Sequence, residues 1–201
     1  MDFLEFPVGK ISMVYGAAAT GKTTLCMQLS LEVAENKKVL FVDTENSFSV
    51  ERIKQMDANF EKILDKIIIF RAKNFKEQVN FLENIDKLIE RGNFGLIVID
   101  TLGMYYREEL QEGNYSEVNK SVLSNMKKLK HLAEDYNIPV IITNQVYSDM
   151  DGEIKHIGGR MIKGFAKYIV ELKKEPRRAL VLKPEKKERE FKIIDEGLVF
   201  N

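Results

Sequence analysis

The residues that could do chemistry begin in a glycine-rich stretch, ISMVYGAAATGKTTL, at positions 11–25. It matches the pattern G-x-x-x-x-G-K-[ST], which is typical of phosphate-binding loops between a strand and a helix. Backbone N–H groups of such a loop surround a phosphate, and the positive end of the following helix points at the same anion. We therefore expect this segment to bind the phosphates of a nucleotide. The predicted phosphate loop consists of Gly16, Ala17, Ala18, Ala19, Thr20, Gly21, Lys22, Thr23 and Thr24.

Three side chains would complete a site for magnesium and ATP. Lys22 would reach the β and γ phosphates, and the Thr23 hydroxyl would ligate Mg²⁺. The apolar run GLIVID ends in Asp100, whose carboxylate would hold the magnesium shell, usually through water. Taken alone, the loop could be a plain Gly/Ala-rich turn, and Asp100 could simply cap the end of a strand. Together they favour ATP and Mg²⁺ as ligands.

Carboxylates also follow a second apolar run, KVLFVDTENSF at 38–48. Hydrolysis of ATP needs a group that orients and deprotonates a water in line with the γ-phosphate. Asp100 is committed to the metal, so Glu45 is the predicted base, and Asp43 is predicted to anchor the strand end or its turn. Gln145 ends a third polar-tipped run, VIITNQ, where it could sense the γ-phosphate and signal to the adjoining loop.

The elements that must position these residues alternate between short apolar runs and amphipathic stretches. This pattern predicts an α/β protein with a mostly parallel central sheet flanked by helices. The predicted strands are 11–15, 39–42, 67–70, 96–99 and 140–143, and the predicted helices are 22–36, 50–57, 75–91 and 117–136. A polar, mobile loop is predicted at 147–159, followed by a C-terminal antiparallel meander at 168–172, 179–182 and 191–194. No segment reads as a linker, so residues 1–201 are expected to form a single domain.

The composition limits the kind of protein this can be. The chain has 201 residues, 31 basic and 31 acidic side chains, and one cysteine, Cys26. A single cysteine excludes an internal disulfide and a cysteine-based zinc site. No apolar run approaches the roughly 20 residues of a membrane span. We therefore expect a soluble, cytoplasmic protein without a membrane partner.

The balanced total charge hides a basic stretch at 173–192, which has nine Lys and Arg residues and four Glu residues. Such a stretch could contact the phosphates of DNA while the whole molecule stays neutral, or it could be a solvated charged hairpin. The sequence favours neither alternative. The candidate DNA contacts within the stretch are Lys183, Lys186, Lys187 and Arg189.

The segments GAAATGKTT, FVDTENSF with ERI, LIVIDT and ITNQV occur in an order that resembles the ATPase core of the RecA/RadA/Rad51 recombinases. The segments IIIFRAKNFKEQ, YYR and NIPVIITNQV, and a basic C-terminal segment that closes on DEGL, are most similar to the short archaeal members. The resemblance covers residues 8–200 and implies a P-loop NTPase fold of RecA type. It implies one ATPase core domain, without the N-terminal DNA-binding domain and polymerisation segment of full recombinases.

The resemblance also implies roles for single residues. Lys22 matches the family's phosphate-binding lysine, and Thr23 matches its magnesium ligand. Glu45 matches the catalytic glutamate, Asp100 the acid on the metal side, and Gln145 the γ-phosphate sensor. Arg52, in ERI, falls where relatives place a side chain against the adenine ring, although it could equally be a solvated charge. Residues 103–116, which include Arg107, and residues 147–157 match the two loops that face DNA.

The function implied is that of an accessory or mediator protein that binds ATP and DNA and works with a RadA-type recombinase in homologous recombination and repair. The DNA would be single-stranded or branched. The protein would be a monomer or dimer rather than a filament. ATP would act as a conformational ligand, with weak or no hydrolysis. The main alternative is a KaiC-like signalling ATPase that acts through protein contacts without DNA. A further alternative keeps the fold and loses turnover, which leaves a nucleotide-gated binding module.

Overall fold

The computed structural model describes residues 3–148, 154–156 and 159–201. Strands and helices alternate through the first two thirds of the chain, and strands dominate the last third. The strands are β1 (Ile11–Gly16), β2 (Lys38–Asp43), β3 (Ile67–Arg71), β4 (Phe94–Asp100), β5 (Val140–Ser148), β6 (Ile154–His156), β7 (Tyr168–Lys174), β8 (Arg177–Lys183), β9 (Lys187–Ile194) and β10 (Gly197–Phe200). The helices are α1 (Lys22–Ala34), α2 (Val50–Met56), α3 (Glu61–Leu64), α4 (Phe75–Glu83), α5 (Asp86–Ile89), α6 (Gly103–Gln111), α7 (Tyr115–Tyr136) and α8 (Gly159–Phe165).

The described strands form one sheet in the order β10-β9-β8-β7-β1-β5-β4-β2-β3, with β6 paired to β5 beside this path. Pairing is parallel from β7 through β1, β5, β4 and β2 to β3. It is antiparallel among β7, β8, β9 and β10. The predicted α/β fold, with a mostly parallel sheet and a C-terminal antiparallel meander, is therefore confirmed. Because parallel strands point the same way, the ends of β1, β2, β4 and β5 meet at one rim.

The hydrophobic core lies on both faces of this sheet. Within β4, Leu96 and Val98 pack into one cluster with α1, while Ile97 and Ile99 pack into the other with α7. This explains why the strands are apolar without alternation: each face of the sheet is covered by helices. The amphipathic stretch predicted at 117–136 is helical as α7, and most of its apolar stripe lies in the second cluster, from which Leu123 is missing; the members in the cluster are Val118, Val122, Met126, Leu129 and Leu132.

Two helical predictions need correction. The predicted helix 75–91 is divided into α4 and α5, because the chain turns at Asn84, whose N–H donates to Phe81 O and whose side chain donates to Asn80 O. Apolar side chains on both sides of this break, namely Leu82, Ile85 and Ile89, pack in the same cluster. Residues 103–116, expected to be a loop, are mostly helical as α6, and α7 begins at Tyr115. The helices α3 and α8 and the strands β6 and β10 were not predicted.

The polar loop expected at 147–159 is also revised in part. β5 continues to Ser148 and pairs antiparallel with β6, so the described part of this segment is a strand pair. Residues 149–153 and 157–158 lie outside the described residues. The prediction that this part of the segment faces DNA therefore concerns residues that the structure does not describe. Across the ranges that the structure covers, no helix combines the length and apolar character needed to cross a membrane.

Candidate nucleotide-binding site

The predicted phosphate loop connects the end of β1 to the start of α1. Gly21 has φ 103 and Ala19 has φ 61, so the chain turns through left-handed conformations just before α1 begins at Lys22. A Cβ atom on Gly16 would lie 2.3 Å from Leu172 O of β7. Two of the motif glycines are thus required by geometry, one by its positive φ and the other by the close approach of a neighbouring strand.

The Lys22 side chain is folded into this loop. Its Nζ donates to Gly16 O at 3.0 Å and to Ala17 O at 2.9 Å, and the residue is 8% exposed. Burial lowers the pKa of the ammonium group, while the charges of Asp100 and Glu45 act against that shift. The carbonyl groups that accept hydrogen bonds from this ammonium group are neutral, so they do not cancel its positive charge. The group can therefore pair with an anion. This is the environment expected for a phosphate-binding lysine.

The Asp100 carboxylate lies beside the first turn of α1 and is 2% exposed. Its Oδ2 accepts from Thr23 Oγ1 at 2.7 Å and from Ser47 Oγ at 3.2 Å, and its Oδ1 accepts from Thr143 Oγ1. The Thr23 hydroxyl and a carboxylate oxygen are hard oxygen ligands of the kind that Mg²⁺ takes, with waters completing its shell. The donor set therefore fits magnesium. Within the described chain, no group of three or more His, Cys, Asp or Glu side chains could hold a metal unaided.

Asp43 anchors the turn that follows β2, as predicted. Its Oδ1 accepts from the N–H of Ser47 at 3.0 Å, and its Oδ2 accepts from the N–H of Phe48 at 3.1 Å. The carboxylate is buried, and Arg71 Nε lies 3.6 Å from Oδ2. These bonds determine the path of the turn, and the path of the turn determines where the Glu45 side chain projects.

Glu45 and Gln145 are joined by a hydrogen bond of 2.6 Å from Gln145 Nε2 to Glu45 Oε1. Partial burial of the carboxylate, followed by the charge of Asp100, raises the pKa of Glu45, while Lys22 and the bond from Gln145 act against that rise. Both side chains line a cavity of about 190 Å³ formed with the phosphate loop. Both also line an adjoining cavity of about 510 Å³, to which α6 contributes Arg107. The pair therefore borders both cavities.

Arg52 lies on α2 and reaches across to the C-terminal meander. Its Nη2 donates to Ile194 O at 2.6 Å and its Nη1 donates to Gln55 Oε1 at 2.8 Å. The neighbouring Ile193 approaches the phosphate loop, with its Cδ1 2.8 Å from the position a Cβ on Gly21 would take. Arg52 is thus held near the loop, and its contact with an adenine ring stays a prediction.

Two residues of this site were not predicted from the sequence. The Ser47 hydroxyl bonds to Asp100 and lies 3.4 Å from Asp43 Oδ1, and its place two positions after Glu45 in DTENS was the available signal. Arg177, from β8, donates to Ala19 O at 3.2 Å and to Thr20 O at 3.4 Å. No local pattern links Arg177 to a loop more than 150 residues earlier in the chain.

The candidate DNA contacts of the basic stretch divide between different environments. Lys183 Nζ donates to Ala166 O at 2.8 Å, while Lys186 is exposed between β8 and β9. Lys187 Nζ and Arg189 Cζ lie 4.9 Å and 5.2 Å from the centroid of the Phe3 ring, so both project from one face of β9. Side chains alternate along a strand, and Glu188 and Glu190 therefore project from the other face. The stretch does not form one continuous basic face.

Comparison with known proteins decides the family. A sequence model described as Rad51 matches residues 5–199. This chain belongs to the Rad51 family. It is similar to the DNA repair and recombination protein RadB of Methanococcoides burtonii, with 38% identity over 96% of this chain and 90% of that protein. The protein of the same description from Methanosphaera stadtmanae is 33% identical over 95% of this chain and 88% of its own length.

The fold agrees with this membership. A solved structure described as the crystal structure of the RadB recombinase matches with a TM-score of 0.80 and 33% sequence identity. The match covers 96% of this chain and 91% of that one. The resemblance to the recombinase ATPase core, and with it the expected fold of RecA type, is therefore confirmed.

Proposed function

We propose that this chain is an ATP- and DNA-binding accessory protein of homologous recombination and DNA repair that works beside a RadA-type recombinase. The observation that carries the nucleotide part is that Lys22, Thr23 and Glu45 line one cavity at the rim of the sheet, while Asp100 accepts a hydrogen bond from Thr23 beside it. The relatives described as DNA repair and recombination protein RadB support the biological setting.

The loop and its neighbours would bind ATP through complementary charge. Loop N–H groups and the start of α1 offer hydrogen-bond donors to the phosphates, and Lys22 offers a positive charge to the β and γ groups. Thr23 and Asp100 would hold Mg²⁺, which, when bound, supplies further positive charge to offset the phosphates. Arg52 would contact the adenine ring beside the β9–β10 turn.

Hydrolysis, where it occurs, would use Glu45 as the base that takes a proton from water. Its raised pKa favours this role, because a general base works best when its pKa is near the working pH. Gln145 donates from Nε2 to Oε1 of Glu45 and would respond to the γ-phosphate. Arg177 bonds to loop carbonyls and is not among the residues that line the phosphate cavity. We therefore propose slow turnover, with ATP serving mainly as a conformational ligand.

DNA would be bound at local basic surfaces, because the chain has no net charge. Lys183 and Lys187 line a cavity of about 620 Å³ together with Lys10, Lys167, Glu5 and Glu185, so lysines outnumber carboxylates there. Lys10 precedes β1 and Lys167 precedes β7, which places this surface at the rim opposite the phosphate loop. Lys186 and Arg189 lie beside it. Arg107 offers a second contact, on the nucleotide side.

The nucleotide proposal is tested by titrating Mg-ATP into wild type and Lys22→Ala. We expect the variant to lose most of its affinity, since it removes the cation that pairs with the phosphates. Lys120→Ala, an exposed substitution on α7, is the matched control and should bind like wild type. Equal affinity in all three proteins would show that the loop is not the site.

The DNA proposal is tested by anisotropy of labelled single-stranded and branched DNA at several salt concentrations. Reversal of Lys186, Lys187 and Arg189 to Glu should weaken binding to all sequences and lower the salt slope on single strands by about 2, if each loses one phosphate contact. Arg107→Glu tests the other rim separately. If wild type binds neither DNA, the KaiC-like alternative is favoured instead. ATPase assays with and without single-stranded DNA complete the set.

A further inference from the structure

We propose that Arg177 is a positioning residue that holds the phosphate loop in its anion-binding shape and couples that loop to the C-terminal meander. The proposal rests on the nucleotide site proposed above and concerns how that site is supported. Arg177 opens β8, and a two-residue turn, Glu175–Pro176, joins it to the end of β7.

The contacts of Arg177 are with the backbone of the loop. Its Nη1 donates to Ala19 O at 3.2 Å and to Thr20 O at 3.4 Å, which ties two consecutive carbonyls to one guanidinium. A peptide unit is planar and trans, so its C=O and N–H point in opposite directions. A guanidinium that draws Ala19 O and Thr20 O to one side therefore directs the N–H groups of Thr20 and Gly21 to the other. In a phosphate loop, those N–H groups are the ones that face the anion.

The other carbonyls at the start of the loop are already engaged. Lys22 Nζ donates to Gly16 O and Ala17 O, and Thr20 Oγ1 donates to Ala17 O at 3.0 Å. Arg177 binds carbonyls in the middle of the loop, where Ala19 has φ 61, a conformation that residues with a side chain rarely adopt. A strained turn of this kind persists only when surrounding contacts hold it.

Two further contacts show that the meander as a whole backs the loop. Leu172 O of β7 lies 2.3 Å from where a Cβ on Gly16 would stand, and Ile193 Cδ1 of β9 lies 2.8 Å from the same point on Gly21. With Arg177 of β8 at Ala19 and Thr20, three successive strands touch the start, middle and end of the loop. A displacement of the meander would therefore change the loop, and a bound nucleotide would stabilise the meander.

An arginine in this stretch could instead act on the phosphates of a nucleotide held by a second chain. The two roles differ in what they predict. A residue that shapes the loop affects every nucleotide that uses the loop N–H groups, at any protein concentration. A residue that acts on the γ-phosphate of a neighbouring chain affects ATP rather than ADP, and only when chains associate.

The experiment compares wild type, Arg177→Ala, Arg177→Lys and Arg178→Ala in titrations with Mg-ADP and Mg-ATP. Arg178 is the matched control, because it is the adjacent arginine, projects from the opposite face of β8 and pairs with Glu188 at 2.6 Å. We expect Arg177→Ala to weaken both nucleotides about tenfold, which corresponds to about 1.4 kcal/mol. Arg177→Lys should recover part of this loss, and Arg178→Ala should match wild type.

A second readout is hydrogen exchange of the loop amides without nucleotide. Arg177→Ala should speed exchange at residues 19–21, and Arg178→Ala should not. The proposal is overturned if Arg177→Ala leaves both affinities and loop exchange unchanged, or if only ATP is affected and only at concentrations where chains associate. If wild type binds no nucleotide, the proposed function fails, while the exchange measurement still decides whether Arg177 holds the loop.

Discussion

The replacement Asp43→Asn tests whether Asp43 is an anchor of the fold or part of the chemistry. Its carboxylate is 1% exposed and accepts two backbone N–H groups, one on each oxygen, from Ser47 and Phe48. An asparagine of the same size offers one acceptor oxygen. The amide nitrogen that replaces the second oxygen is a donor, so it would face a buried N–H that has lost its partner.

The magnitude follows from these contacts. A hydrogen bond to a charged group contributes roughly 1.5–3 kcal/mol, and water cannot replace it at so buried a position. Arg71, whose side chain is 54% exposed, lies 3.6 Å from the carboxylate, so its ion pair adds about 0–1 kcal/mol after solvent screening. Because these losses overlap, we expect about 2–3 kcal/mol of destabilisation. In a domain of this size that lowers Tm by roughly 5–10 °C.

The assay is urea unfolding at 25 °C, with thermal melting as a second measure. Asp57→Asn is the matched control, since Asp57 also accepts a backbone N–H, from Asn59 at 2.7 Å, but does so in an exposed turn. It should change the free energy of unfolding by no more than about 0.5–1 kcal/mol. Hydrolysis by folded Asp43→Asn should stay close to wild type. Equal unfolding midpoints for the two variants, or loss of hydrolysis without loss of stability, would refute the reasoning.

Three other changes have expected outcomes. Glu45→Gln should bind ATP nearly as wild type does but slow single-turnover hydrolysis by about 100-fold or more, because an amide cannot accept a proton. In wild type the rate should rise with pH through the raised pKa of Glu45, at higher pH than for an ordinary glutamate, and a rate independent of pH there would contradict its role as base. Gly21→Ala should abolish nucleotide binding in a titration, because φ is 103 and Ile193 occupies the space of the new Cβ. Leu129→Ala, at a position with 0% exposure, should cost about 2–5 kcal/mol in urea unfolding, whereas Tyr115→Ala, at 60% exposure, should cost little.

The parts of the fold that could be predicted are those in which one periodic signal governs a whole element. The central strands are apolar on both faces because helices cover both, and the apolar residues of α7 from Val118 to Leu132, except Leu123, pack in one cluster. The signal weakens where an element is short or is broken. The stripe through 75–91 continues past Asn84 although the helix does not, because packing against the sheet needs only the apolar side chains to stay on one side.

The site follows the same division between local and distant information. The phosphate loop is one continuous motif, so the placement of Lys22 and Thr23 at the start of α1 could be predicted from spacing alone, while their roles stay predictions. Asp100 is distant from the loop in sequence. Its position at the end of the apolar run that forms β4 was enough to place it near the loop, because the parallel strands of the sheet end at one rim. The contact of Ser47 with Asp100 could not be predicted, because it depends on the shape of the turn that the hydrogen bonds to Asp43 create. Arg177 required the complete sheet order, since β8 comes near the loop only through β7, which pairs with β1.

This last dependence bears on what the motif means. Side-chain hydrogen bonds join the phosphate loop, α1 and α2 to the meander: two from Arg177 to Ala19 O and Thr20 O, one from Arg52 to Ile194 O, and two between Gln28 of α1 and the N–H and O of Leu198. The bonds from Arg52 and Gln28 end on backbone groups of β9 and β10, so they respond to the position of those strands more than to the identity of their side chains. The bonds from Arg177 depend on its own side chain as well as on the position of β8. The G-x-x-x-x-G-K-[ST] pattern therefore indicates that a phosphate site exists. We expect the affinity of that site to depend on how β7, β8, β9 and β10 hold the loop and its helix, so that a ligand or partner that shifts those strands would change it.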